Sequence, residues 1–405
     1  MQVKPRIRGY ICTTAHPGGC SKNVAEQIGY VNDQESIEGT KNTIVLGCSS
    51  GYGLASRISA AFGCGARTLG VSYEKEPSEK RTGSAGWYNN LTFDRIAKKK
   101  GLYAKTIDGD AFSDDIKKAV VEIARLDMEP IDLLIYSLAS PVRQHPKTSE
   151  LHRSVIKPLG SSFESRTLDL NLNTGAAQIV DVTIDPADSK ETKDTIAVMG
   201  GEDWQFWIEA LLQAGILAQN FKTVAYTYIG NELTWPIYWD GTLGKAKEDL
   251  DRASRDIRTI LKNGGLNGEA HVAVLKAVVS QASTAIPVVP LYFSILFKVM
   301  KERGNHENCV QHINRLFSEE LYGTKQKRLD DQGRIRMDNY ELEDEVQAVV
   351  SERWSSINSS NVKELADIEG FQADFMRIFG FGVEGIDYDA EQDLRLEDQS
   401  LNSTV

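Results

Sequence analysis

Thr43-Ile-Val-Leu-Gly47-Cys48-Ser49-Ser50-Gly51-Tyr52-Gly53-Leu-Ala-Ser-Arg57 is the stretch whose reading decides the fold. A short β-branched and apolar run leads into a turn with glycines at 47, 51 and 53, and apolar residues at helical spacing follow from Leu54 to Phe62. In a strand–turn–helix unit each glycine has a reason. The first permits the tight turn, the next lets backbone amides approach a ligand closely, and the helix N-terminus turns partial positive charge toward an anion. Such a unit cradles a pyrophosphate, so Gly47, Cys48, Ser49, Ser50, Gly51 and Tyr52 are read as the phosphate-binding turn of a dinucleotide fold.

Further short apolar runs stand at Thr68–Ser72, Tyr103–Ile107, Leu133–Ser137, Thr195–Met199, Thr223–Tyr228 and Val272–Val279, as strands buried on both faces do. Most are separated by segments with apolar residues at threes and fours: Phe112–Leu126, Asp203–Ala218 and Thr242–Leu261. The alternation predicts an α/β chain, a Rossmann-like doubly wound parallel sheet with right-handed crossovers. Residues 41–139 then form the nucleotide-binding half and 195–304 the catalytic half of one large unit spanning 1–405. Three regions fall outside the alternation: an N-terminal extension, 1–40, opening with a hairpin at Arg6–Thr13; an inserted cap region, 140–194; and a mostly helical C-terminal region, 305–405.

Composition narrows the function. With 41% hydrophobic and 25% charged residues the chain is ordinary globular protein, and its net charge of −11 repels phosphate backbones and anionic lipid, so no nucleic-acid partner is expected. Five cysteines scattered at 12, 20, 48, 64 and 309 form no disulfide framework and suit a reducing compartment. Met1–Tyr10 lacks the apolar core of a signal peptide, and the most apolar segment, Ala285–Met300, contains Pro287 and Pro290 and is too short to span a bilayer. The expected location is cytoplasmic. Cys12, His16 and Cys20 offer three ligands where structural zinc takes four, so no metal is expected. Neither HExxH nor GxSxG occurs, which removes the hydrolase readings.

Beyond the second strand, Tyr73-Glu74 places a carboxylate where it would accept hydrogen bonds from adenosine ribose hydroxyls and repel a 2′-phosphate, favouring NADH over NADPH. Asp110-Ala111 follows the third strand and Leu138-Ala139 the fourth, at the positions of the adenine edge and the nicotinamide ribose. The residues alone suit ordinary loops equally well there.

A hydride reductase of this fold needs an acid near the reacting carbonyl and a cation beside it. Tyrosine with lysine supplies both, since a neighbouring ammonium favours the phenolate and draws its pKa toward the operating pH. Tyr228, Tyr238, Lys245 and Lys247 are the candidates. On a helix, residues two apart point to nearly opposite faces. Lys245 has Glu248, Asp249 and Arg252 as helical neighbours, a solvent face; Lys247 has Leu243, Gly244 and Leu250, an apolar face along which its stem can lie. Lys247 is therefore the choice, giving a Tyr238-x8-Lys247 spacing, and Tyr228, at a strand end, suits a substrate contact. Buried structural tyrosine is the competing reading in a chain with 14 tyrosines.

Taken together, Gly47-Cys-Ser-Ser-Gly-Tyr-Gly53, Tyr73-Glu74, Gly109-Asp-Ala-Phe112, Tyr136-Ser-Leu-Ala-Ser-Pro141, Ala197-Val-Met-Gly-Gly-Glu-Asp-Trp204, Tyr238-x8-Lys247 and Lys276-Ala-Val-Val-Ser-Gln-Ala-Ser283 resemble the trans-2-enoyl-CoA reductases and FabV-type enoyl-acyl-carrier-protein reductases. The resemblance runs from Lys4-Pro-Arg to Phe379-Gly-Phe-Gly. It implies an enlarged relative of the short-chain dehydrogenases that uses NADH to reduce the double bond of an enoyl thioester, carried on coenzyme A or acyl carrier protein, in fatty acid synthesis. By the same resemblance Tyr238 is the proton donor, Lys247 holds both it and the nicotinamide ribose, Tyr228 touches substrate, Glu74 discriminates NADH from NADPH, and Val278, Val279 and Ser280 meet the nicotinamide. Ser280 stands where many members carry threonine, which keeps a hydroxyl, and Lys245 stands where relatives often carry a small residue, creating a second Tyr–Lys spacing. The apolar stretch Ile286–Phe297 reads equally as an acyl-pocket lining and as a buried packing helix. Two other functions remain open: a carbonyl reductase, which would use a closer Tyr–Lys pair, and a dinucleotide-binding redox sensor, which would not need both Tyr238 and Lys247. The state of assembly, monomer or homodimer, is left open.

Overall fold

The computed structural model describes residues 1–281, 283–284 and 286–397. Its centre is a sheet of seven parallel strands, β1 (Asn42–Leu46), β2 (Arg67–Ser72), β3 (Ala104–Asp108), β4 (Ile131–Tyr136), β5 (Leu217–Thr227), β6 (Glu269–Val274) and β7 (Ile335–Arg336), in the order 3-2-1-4-5-6-7. The chain starts in the middle, builds outward through β2 and β3, then returns to lay β4 beside β1 and builds the other way. That reversal opens a crevice beyond the carboxyl ends of β1 and β4, where open α/β sheets bind their ligands. Ile44, Val45 and Leu46 of β1 are wholly buried, as an unbroken apolar run in a central strand must be.

Helices cover both faces: Gly51–Ile58, running on as a wider turn to Gly63, then Ala85–Lys99, Asp114–Asp127, Glu202–Gln213 and Thr242–Asn263. The Ser113 hydroxyl accepts the Ile116 amide, so the third of these starts two residues later than the apolar pattern suggests. The N-terminal extension contains the expected hairpin, Ile7–Arg8 with Ile11–Cys12, and adds the helix Pro17–Asn32. His16 caps that helix, Nδ1 accepting the Gly19 amide at 3.0 Å, which gives this buried histidine a structural partner.

Two expectations need correction. Thr195–Met199 is not a strand but the end of the helix Ser189–Met199, which a reciprocal capping box between Asp188 and Glu191 starts and Gly200 follows. Five residues rich in apolar side chains cannot distinguish the two states, whereas the cap can. The run Val272–Val279 leaves the sheet after Val274, so Val278, Val279 and Ser280 lie in the loop beyond β6. The mostly helical region 305–405 also supplies β7, whose Ile335 pairs with Ala273 on the sheet edge. Residues 398–405 of that region, with Ala282 and Ala285, lie outside the described residues.

The cap region 140–194 is two hairpins, Val142–Gln144 with Leu151–Arg153 and Phe163–Asn171 with Ala176–Ile184. Leu168 and Leu170 of the longer one are buried in a core shared with Tyr238 and the helix Val289–Arg303. Eleven of that helix's fifteen residues are buried, so Ile286–Phe297 is mainly a packing element. No helix among the described residues is long and apolar enough to cross a membrane.

Candidate active site

The glycine loop is held by contacts that exclude any side chain. Gly47 has φ +80°, and a Cβ there would lie 2.1 Å from the Ser137 carbonyl oxygen; one on Gly53 would lie 1.9 Å from the Gly47 oxygen. Helix start, loop and the end of β4 therefore pack backbone on backbone; the Gly47 and Cys48 amides are tied to the Val71 carbonyl at 2.8 and 3.2 Å, leaving the amides from Ser49 onward for a ligand. The structure separates the loop's side chains into two groups. Cys48 is buried with Sγ directed to Asn90 Oδ1, and Tyr52 turns under the sheet, its hydroxyl donating to the Lys276 carbonyl at 2.6 Å. Tyr52 therefore offers only its backbone amide to a ligand, and the Cys48 amide is already taken by the Val71 carbonyl. Ser49, by contrast, donates its hydroxyl to Glu74 Oε1 at 2.6 Å.

Glu74 is also fixed from its backbone, whose amide donates to Asp108 Oδ1 at 2.7 Å, and a Cβ on Gly86 would lie 2.1 Å from its Oε1. Gly86 thus makes room for this carboxylate between the phosphate loop and the helix Ala85–Lys99, while Tyr73 is largely exposed. At the next strand end Asp110 Oδ1 accepts the Phe112 amide, and the Ala111 carbonyl, buried, accepts from Lys117 Nζ and Trp207 Nε1. Leu138, beside Gly47, and the exposed Ala139 follow β4. Beyond β6 the Ser283 hydroxyl donates to the Val278 carbonyl at 2.8 Å and accepts the Ser280 amide, which closes the loop that carries Val278, Val279 and Ser280.

The tyrosine and lysine come together as the helix-facing argument expects. Tyr238 sits in the turns before Thr242–Asn263, its amide bonded to the Thr234 carbonyl. A Cβ at Gly244 would lie 1.7 Å from the Trp239 carbonyl oxygen, so the helix's first turn presses directly on the backbone beside Tyr238. One turn on, Lys247 Nζ lies 5.1 Å from the centre of the Tyr238 ring. Lys245 points the other way, exposed and paired with Glu248 at 2.8 Å. Withdrawal from water, with the Arg334 guanidinium adding repulsion, draws the Lys247 pKa down to about 7. The Tyr238 hydroxyl goes the opposite way from the sequence expectation: burial, then the Glu341 carboxylate, push its pKa up, and the nearby ammonium does not outweigh them. It stays protonated at neutral pH. Among the described residues no side chain or backbone group hydrogen-bonds to the Tyr238 hydroxyl or the Lys247 ammonium. Tyr238 is buried and Lys247 half-buried, and the phenol oxygen and the ammonium both keep access to the crevice, so both are open to a ligand.

Tyr228 stands edge-on to Tyr238, ring centres 5.1 Å apart, and edge-on to Phe293 at 5.9 Å. Its hydroxyl donates to Glu341, a fully buried carboxylate that sequence reasoning missed. Nothing in the pattern could have marked it, since Glu341 sits in the acidic run Asp338-Asn-Tyr-Glu-Leu-Glu-Asp-Glu345, which reads as a solvated surface.

The geometry has close counterparts. A family model described as the catalytic region of trans-2-enoyl-CoA reductase matches residues 81–322, and one described as the NAD(P)H binding domain of trans-2-enoyl-CoA reductase matches 2–79. The chain belongs to the trans-2-enoyl-CoA reductase family. Among relatives of this reductase, an enoyl-[acyl-carrier-protein] reductase [NADH] of Serratia proteamaculans is 53% identical over 96% of this chain and 97% of its own length. The enoyl-[acyl-carrier-protein] reductase [NADH] FabV of Aeromonas salmonicida is 52% identical with the same coverage. The trans-2-enoyl-CoA reductase of Clostridium acetobutulicum, solved with NADH, superposes with a TM-score of 0.94 at 42% identity, covering 98% of each chain. That of Treponema denticola, solved with NAD, gives 0.91 at 47%, covering 97% of this chain and 98% of its own.

A third model, described as an enoyl reductase FAD binding domain, matches residues 329–392. These residues do not fit a flavin dinucleotide. Val346, Val350, Phe371 and Phe375 of the segment's helices are buried in the core, and its Gly333 turn leads into β7 rather than into a helix N-terminus. No step below passes through a flavin.

Proposed function

We propose that this protein reduces the carbon–carbon double bond of trans-2-enoyl thioesters with NADH, with Tyr238 as the acid and Lys247 as the cation that orients it. The observation that carries the assignment is the Tyr238–Lys247 pair itself, largely buried yet open to the crevice, unpartnered among the described residues, and set beside a loop whose amides from Ser49 onward are free for a pyrophosphate. Those amides and Ser50 would hold the diphosphate, Glu74 and Asp110 the adenosine end, and Leu138, Ala139, Val278, Val279 and Ser280 the nicotinamide end. NADH bound there supplies a hydride to the β-carbon of the substrate.

The protein's own groups handle the charge that this creates. Negative charge grows on the thioester oxygen, and the protonated Tyr238 hydroxyl donates a hydrogen bond to it in a pocket with little water, where such a bond is worth most. Lys247 lies over the ring and stabilises the developing phenolate while its ammonium reaches a ribose hydroxyl. Tyr228 closes the pocket against Phe293, and one proton taken up from solvent at the α-carbon, as the Tyr238 phenol keeps or regains its own, completes the reduction. Acyl carrier protein is the carrier named for relatives that share just over half of the residues, and coenzyme A thioesters serve as surrogates. We place the reaction in cytoplasmic fatty acid synthesis.

The test follows NADH absorbance with crotonyl-CoA, a longer enoyl-CoA, an enoyl-acyl carrier protein and acetoacetyl-CoA. Oxidation is expected with the three enoyl thioesters. Oxidation with acetoacetyl-CoA alone would replace this reading by carbonyl reduction, and binding of NADH with no turnover on any of the four would make the protein a sensor.

A further inference from the structure

Glu341 is a carboxylate with three donors converging on it from three parts of the chain. Its Oε1 accepts from the Tyr228 hydroxyl at 2.8 Å and the Tyr292 hydroxyl at 3.1 Å, and its Oε2 accepts the Ala277 amide at 2.6 Å. Tyr228 follows β5, Tyr292 belongs to the helix Val289–Arg303, and Ala277 opens the loop that carries Val278, Val279 and Ser280. The Gln347 amide group holds Glu341 in place by donating to its backbone carbonyl. A phenol has one proton to donate. With that proton committed to Glu341, Tyr228 presents lone pairs to the pocket, and its ring cannot swing because Tyr238 and Phe293 both meet it at 88°. Tyr238 is then left as the tyrosine able to donate to the thioester oxygen.

We infer that Glu341 is a positioning residue of the reaction: it fixes Tyr228 as a hydrogen-bond acceptor toward the pocket and ties it to the Ala277 amide, so that the substrate side and the nicotinamide loop keep one spacing. The inference rests on the roles given above to Tyr238 and Tyr228. A glutamine cannot do this, because its amide has a single oxygen. It must turn its NH2 either to the Ala277 amide or to the two hydroxyls, and one side of the clamp opens.

The carboxyl is also poised to lose its grip on mild acidification. Burial raises its pKa to about 6, against the Ala277 amide, the Lys276 ammonium and the Tyr228 hydroxyl, which favour the ionised form. Asp338 adds repulsion, and the hydroxyls of Tyr292, Tyr238 and, farther off, Tyr52 complete the groups that face it. Once protonated, one oxygen becomes a donor and must displace one of the three donors now aimed at it.

The full-length protein is assayed with NADH and crotonyl-CoA, measuring kcat and both KM values across about pH 5 to 8. Glu341→Gln should lower kcat by roughly 10- to 100-fold, the range expected when reacting groups shift without being lost, with the KM for NADH little changed. The wild type should lose activity as pH falls through about 6, a limb absent from Glu341→Gln. Adding Glu341→Gln to Tyr228→Phe should cost no more than Tyr228→Phe alone, since the carboxylate acts through that hydroxyl, and Glu341→Asp should recover part of the rate. A wild-type kcat in Glu341→Gln, a double variant showing the product of both losses, or an acid limb that persists would each overturn the inference. If Glu341→Gln does not fold, Tyr228→Phe asks the same question from the donor side, because it too should erase the acid limb. The two levels of reading separate cleanly: an active Tyr238→Phe sinks the acid role given to Tyr238, whereas an inactive Tyr238→Phe beside a fully active Glu341→Gln sinks only the role of Glu341.

Discussion

The glycine-loop side and the tyrosine side of the crevice are built on opposite plans. The loop is local and made of backbone: eleven consecutive residues form strand, turn and helix start, and what matters is the absence of side chains at Gly47 and Gly53. The tyrosine side is distant and made of side chains, with Tyr228, Tyr238 and Lys247 brought against Phe293 and Glu341 from the far end of the sequence. The first should fail when something is added and the second when something is removed. Substitutions chosen on that rule test whether the two plans are as different as they look.

The largest effect belongs to the tyrosine side. Tyr238→Phe keeps the ring and deletes the donor, and kcat should drop about 100- to 1000-fold with the KM for NADH nearly unchanged. Lys247→Met should be similarly inactive, yet more stable. Its ammonium titrates at about 7 in the folded protein against 10.5 for an ordinary lysine, so folding works against the protonated form. That penalty is complete below pH 7 and shrinks as pH rises toward 10.5. At neutral pH, without cofactor, Lys247→Met should therefore have a higher Tm than the wild type; a lower one would mean the ammonium is paired.

Next comes an addition on the loop side. A methyl at Gly53 would sit 1.9 Å from the Gly47 oxygen, so the helix must move off the loop. Gly53→Ala should raise the dissociation constant for NADH by more than about 10-fold and lower Tm by several degrees, measured by fluorescence titration and calorimetry. A kcat loss at saturating NADH, with the affinity unchanged, would show that the loop does more than hold phosphates.

The same contrast explains what could be read in advance. The parallel sheet was legible because its strands are continuous apolar runs and its first turn carries the glycines, and Lys247 was legible because helical facing is a matter of spacing. Thr195–Met199 misled because so short a run, four of its five residues apolar, suits either state, and β7 was invisible because two residues on a sheet edge carry no pattern. Glu341 was illegible for a deeper reason. Its burial is decided by Tyr228, Tyr292 and Ala277, none within sixty residues of it except Tyr292, and a charged run in sequence says nothing about which of its members turns inward.

A smaller effect is expected where the two sides share a residue type but not a role. Glu74 is held by the Ser49 hydroxyl and by space at Gly86, a carboxylate placed by the loop side for recognition rather than for proton transfer. Glu74→Gln should leave kcat with NADH within about two-fold and lower the ratio of kcat/KM for NADH over NADPH by roughly 10-fold, the worth of about 1.4 kcal/mol of like-charge repulsion. Equal use of both cofactors by the wild type would remove the role given to Glu74.

The smallest effect tests the choice between the two lysines. Lys245 precedes Lys247 by two positions, has the same charge and would give a plausible second spacing from Tyr238, so sequence distance does not decide between them. The helix does: Lys245 is exposed and occupied by Glu248 at 2.8 Å, an i,i+3 surface pair worth about 0.3–0.5 kcal/mol at most. Lys245→Ala should change kcat, KM and Tm within error, and at high salt the small stability difference should vanish as the pair is screened. A loss of turnover in Lys245→Ala comparable to that in Lys247→Met would mean that the first turn of Thr242–Asn263 rotates when substrate binds. Gly244, pressed against the Trp239 carbonyl, argues against that rotation, because the helix cannot turn there without driving its own backbone into the loop that carries Tyr238.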